Sequence, residues 1–116
     1  MTDFNQAIES LLVEIGDDYN RWLLRTEYHE PSKVEKFRNE LVLKTGRKYL
    51  KILQEEDRGN GSFGSRVWGF VQLEDDKKFK KGDILMAAGY NAPARNKARG
   101  NIFEEYSVQW TGPNYL

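Results

Sequence analysis

The chain has 116 residues, 39% hydrophobic and 31% charged, with three Trp, six Tyr and six Phe. That size fits one domain with a real core, and the aromatic content is too high for a disordered chain. Eighteen Lys and Arg balance eighteen Asp and Glu, which argues against a strongly basic DNA-coating protein. The lack of cysteine excludes disulfides and thiolate metal sites and points to a reducing cytoplasm.

From residue 2 to about 25, Phe4, Ile8, Leu11, Leu12, Ile15, Tyr19, Trp22 and Leu23 recur at helical spacing. Asp3 with Gln6 three residues later forms a capping-box pattern. His29-Glu30-Pro31 breaks this helix, and Ser32 with Glu35 repeats the box ahead of Val34, Phe37 and Leu41. A second helix is therefore predicted to about residue 44, with Gly46 as its stop. Residues 47–53, followed by the Gly59-Asn60-Gly61 turn, read as a first strand. Residues 66–73, 83 to about 88 and 106–110 read as three more, with the charged stretch 75–82 as a hairpin loop. Two N-terminal helices followed by a small, mostly antiparallel sheet of about four strands make an α+β fold. It forms one domain over 1–116, helical to residue 45 and sheet-forming over 46–116. No apolar stretch approaches the roughly 20 residues that cross a bilayer.

The stretch RVWGFVQL, residues 66–73, partly matches the aromatic strand signature of the RNA-recognition motif. That motif needs a strand before its first helix, so the chain is not one. On an unbroken strand Trp68 and Phe70 share one face, and Val67, Gly69, Val71 and Leu73 the other. If the valines pack on the helices, Trp68 and Phe70 form an open stacking platform; in the opposite register both are core.

Between residues 77 and 100 there are seven basic side chains (Lys77, Lys78, Lys80, Lys81, Arg95, Lys97 and Arg99) against one acid, Asp83. Asn91 can cap a short helical turn, with Pro93 near its start and Gly100 at its end. Arg95 and Arg99 would then lie four apart on one face, where like charges favour an anionic partner such as phosphate. Pairing with Glu104, Glu105 or acids of the first helix is the internal alternative.

The order GRKYLKIL, RVWGFV, KKGDILMAAGYNAPARNKARGNIF and YSVQWTGPNYL resembles a family of small uncharacterised proteins of tailed bacteriophages, nearest to those of contractile-tailed phages infecting cyanobacteria. The resemblance covers 46–116, and its members often carry Lys where Met86 stands and Trp where Tyr90 stands. It implies a phage origin and a place in the cytoplasm of the infected bacterial host, and it supplies no catalytic residues.

A catalytic constellation is missing. His29 has no second His and no Cys, and the pairs Asp17-Asp18, Asp75-Asp76 and Glu104-Glu105 are adjacent in sequence and do not converge on one point. The expectation is a non-enzymatic phage accessory protein that binds an anionic, nucleotide-bearing ligand, either single-stranded nucleic acid or a nucleotide signal. Arg95, Lys97 and Arg99 would contact phosphate, and Trp68, Phe70 and Tyr90 would stack on bases, with no cofactor, metal or membrane. The alternatives are a protein that binds and modulates a host or phage protein, and a minor virion component. Tyr115 and Leu116 are expected to dock on the domain or on a neighbouring subunit of an oligomer.

Overall fold

A computed structural model describes residues 3–26, 30–57, 63–104 and 106–113. His29, Glu105, Tyr115, Leu116 and residues 58–62 lie outside the described residues.

Helix α1 (Phe4–Leu24) begins at the expected box: the Gln6 amide donates to Asp3 Oδ1 at 2.8 Å, and the Asp3 amide donates to Gln6 Oε1 at 3.5 Å. Its Ala7, Ile8, Leu11 and Ile15 recur three and four apart and are all buried. Helix α2 (Pro31–Glu40) starts differently from expectation, because Pro31 takes the first position and Glu30 the cap position without a side-chain bond. A proline there has a preset φ and lacks an amide that would be orphaned anyway, so the Ser32–Glu35 box is not needed.

The second helix ends at Glu40, not near 44. Leu41–Thr45 is strand β1, paired antiparallel with β2 (Tyr49–Asp57) in the register Leu43↔Ile52. Gly46 is thus a hairpin-turn residue, its amide donating to the Tyr49 carbonyl at 2.9 Å. Strand β3 (Phe63–Gln72) follows, then β4 (Ile84–Leu85), which completes the antiparallel sheet in the order β1-β2-β3-β4. The protein is α+β, with two helices and a four-stranded antiparallel sheet. The predicted strand over 106–110 does not join that sheet: β5 (Val108–Gln109) pairs instead with β6 (Gly112–Pro113).

Both faces of the sheet are covered. Leu50, Ile52, Val71 and Ile84 pack with α1 and Phe37 on one side, while Phe70, Leu85 and Phe79 form a second cluster on the other. The β2–β3 register slips by one residue, with Ile52 opposite Gly69 but Leu53 opposite Val67, so Trp68 is an extra, bulged residue. The bulge breaks the alternation assumed from sequence. Trp68 turns to the helix-side core and Phe70 to the opposite cluster, each only 2% exposed. Neither is available as a stacking platform. Trp68 Nε1 donates to the Gln109 carbonyl at 2.8 Å, tying the β5–β6 ribbon to the sheet. At Gly69 a Cβ would sit 2.9 Å from both the Leu85 carbonyl oxygen and Pro113 Cγ, so the close approach of β6, rather than of a helix, requires glycine.

Replacing a buried indole leaves a cavity that a packed core refills poorly, and here it also frees the Gln109 carbonyl. Trp68→Ala should cost about 3–5 kcal/mol in urea unfolding. A loss below about 1 kcal/mol would contradict this placement of the side chain.

Candidate anion-binding surface

The loop after β3 carries three Asp and four Lys in nine residues, 75–83. Its carboxylates turn onto its own backbone. Asp75 Oδ1 accepts from the Lys81 amide at 2.7 Å, and Asp83 Oδ2 from the Lys80 amide at 2.9 Å. Asp76 Oδ1 accepts from the amides of Lys78 and Phe79, both at 2.8 Å. Aspartate suits such turns because its short side chain reaches amides two and three residues ahead. Lys77, Lys78, Lys80 and Lys81 are left exposed.

The second oxygen of Asp76 reaches three other segments. It accepts from Arg95 Nη2 at 2.8 Å, from Lys48 Nζ at 3.1 Å and from the buried Gln72 Nε2 at 3.1 Å. The Phe79 and Lys78 amides, then Arg95, with a smaller part from Lys48, hold the Asp76 carboxyl well below the usual carboxylate range, against a smaller opposing effect of desolvation. Lys48 sits on the β1–β2 turn, so one carboxylate joins that hairpin to the lysine loop.

The hairpin contributes four more cations. From Lys44 to Lys51 the order Lys-Thr-Gly-Arg-Lys-Tyr-Leu-Lys contains no acid. Lys44, Arg47 and Lys48 are exposed, and they line a cleft of about 400 Å³ together with Lys51, Tyr49 and Asn91. Lys51 Nζ donates to Asn91 Oδ1 at 2.9 Å and lies 4.3 Å from the Tyr90 ring centroid. Tyr90 is 48% exposed, and its hydroxyl is 3.1 Å from Ser65 Oγ.

The residues expected to form the site separate into two groups. Arg95 is paired with Asp76, donates also to the Tyr49 hydroxyl, and lies 4.7 Å from the Phe79 ring centroid. Arg99 is 7% exposed, with Nη2 3.3 Å from Asn96 Oδ1. The predicted helical turn that would align the two is absent: Ala87 bridges Pro93, the Ala94 amide donates to the Met86 carbonyl, and Asn91 bonds Lys51 rather than capping a turn. Arg99 is therefore buried and Arg95, about a third exposed, is engaged by Asp76 and Tyr49, which leaves Lys97 and Tyr90 as the exposed members of the expected set. Sequence reasoning counted the lysines at 77–81 without placing them at the site, and it missed the hairpin. The acid-free octet around Gly46 was the signal for the hairpin.

A cleft of about 820 Å³ along α1 has the opposite sign, with Glu9, Glu14 and Glu104 on its walls. Among the described residues no His, Cys, Asp or Glu side chains gather where they could hold a metal ion. Among those residues, too, no helix is long and apolar enough to cross a membrane.

The chain belongs to a family of unknown function (DUF7717), whose model matches residues 2–114 and so spans helices and sheet alike. No curated protein and no solved structure matches it.

Because the folded-state pKa of Asp76 lies below its unfolded value, the unfolded chain binds the extra proton in acid. The stabilisation from Asp76 is complete above the ordinary carboxylate range and is lost as pH falls toward the folded value. Between about pH 5 and pH 2.5, urea midpoints of the parent protein should fall more steeply than those of Asp76→Asn. Parallel curves would contradict the role given to this carboxylate.

Proposed function

We propose that the protein binds an anionic, nucleotide-bearing ligand, single-stranded nucleic acid foremost, on the surface formed by the β1–β2 hairpin and the lysine loop. The observation that carries this reading is the gathering of Lys44, Arg47, Lys48, Lys51, Lys77, Lys78, Lys80 and Lys81 on two segments joined at Asp76. The loop's own acids are turned to backbone amides, so they leave the lysine heads facing solvent.

Exposed cations suit a phosphate backbone, which is recognised as a line of charge. The half-exposed Tyr90 beside Lys51 supplies a ring face on which a base can stack. A duplex would need an element shaped for a groove. The hairpin instead borders an open cleft, with Asn91 on its wall, which fits an unpaired strand better. In this reading the protein is a non-enzymatic accessory factor of a tailed phage, working in the cytoplasm of the infected bacterium. The basic surface holds the ligand without chemical change.

The test is fluorescence polarisation with labelled single-stranded DNA and RNA at low and moderate salt, with the variant Arg47→Glu, Lys77→Glu, Lys80→Glu alongside. These three side chains are exposed, so the variant should fold. Binding by the parent should weaken log-linearly with salt, and the variant should lose about 0.7 of slope for each phosphate contact removed. Affinity that is absent at low salt, or unchanged in the folded variant, would overturn the reading.

A further inference from the structure

The last turn of α1 leaves Trp22 44% exposed, an unusual position for an indole unless something covers it. Trp110, from the β5–β6 ribbon, stands beside it with ring centroids 5.1 Å apart and planes inclined at 50°. The pair is held firmly. The Trp110 amide donates to Asp18 Oδ2 at 2.9 Å, and Tyr19 stacks on Trp22 at 6.0 Å and 18°. Beside the two indoles lies a cleft of about 290 Å³, whose charged walls are Asp18, Arg21 and Arg25.

Those charges do not cancel. Asp18 is engaged by the Trp110 amide and, at 3.4 Å, by Arg21. Arg21 keeps about half of its side chain exposed, and among the described residues Arg25 forms no ion pair. Cations at a helix C-terminus are favoured by its dipole, which accounts for the two arginines but not for a half-exposed indole between them. The rings are too close for a planar group to slide between them. The part of Trp22 left exposed at the cleft is where a planar group could rest, within reach of guanidiniums that offer paired donors to phosphate.

We propose that the Trp22–Trp110 cleft binds a planar aromatic anion of the nucleoside monophosphate class, with the base on Trp22 and the phosphate on Arg25 and Arg21. The cleft has room for one base, not for a run of nucleotides. It shares no residue with the basic surface and does not rest on the function proposed for that surface.

The test follows the indole N–H signals of the ¹⁵N-labelled full chain during titration with AMP, adenosine and inorganic phosphate. AMP should shift the Trp22 and Trp110 signals saturably, and Trp22→Leu should remove the response of Trp110. Arg25→Gln should weaken AMP about tenfold while leaving adenosine unchanged. The Arg47→Glu, Lys77→Glu, Lys80→Glu protein should respond to AMP as the parent does, so loss of polymer binding there would not touch this site. Three results would overturn the proposal: no indole shift at millimolar AMP, equal affinity for AMP and adenosine in the parent, or loss of the AMP response in the basic-surface variant. The first would assign the exposed indole to a protein partner instead.

Discussion

The Asp76 carboxylate is the point at which the separate parts of this small sheet protein meet. Its two oxygens close the turn at Lys78 and Phe79 and bind Lys48 of the β1–β2 hairpin, Arg95 of the long irregular segment and the buried Gln72 of β3. A carboxylate with this many donors remains ionised, and its charge is what allows two basic segments to lie side by side. Around it the apolar work is divided, because Phe79 and Arg95 cover the face of the sheet that the helices leave open.

That division explains how a chain of zero net charge can carry a strongly basic surface. Acids in the loop satisfy backbone amides, and three other carboxylates, Glu9, Glu14 and Glu104, gather along α1. Lys44 pairs with Glu55 at 3.8 Å and Lys48 with Asp76, while Arg47 and the four loop lysines are exposed and form no ion pair with a described residue. Net charge therefore says little about such a protein, whereas the placement of its acids says a good deal.

Much of the fold was legible in the sequence, and the failures have physical reasons. Helix α1 was readable because its cap and apolar spacing are both local signals. The end of α2 was not, since Leu41 continues the helical pattern from Val34 and Phe37 while Leu41-Val42-Leu43 equally suits a strand; pairing with β2 decided it. The bulge at Trp68 depends on what lies across the sheet, so alternation along one strand could not reveal it. At the site, Asp75-Asp76 carried no signal of a shared carboxylate because the donors Lys48 and Arg95 are remote in sequence. Arg95 and Arg99 were singled out from a helical turn that does not form, whereas the acid-free octet 44–51 needed no tertiary knowledge and was passed over.

The most direct test of Asp76 as the organising group is amide hydrogen exchange in Asp76→Ala beside the parent protein. The amides of Lys78 and Phe79 should lose protection together with that of Leu73, which bonds the Lys48 carbonyl at 2.9 Å, while the central pairs of β2 and β3 keep theirs. Protection lost at Lys78 and Phe79 alone, with Leu73 unchanged, would show that the loop and hairpin are held together by something other than this carboxylate.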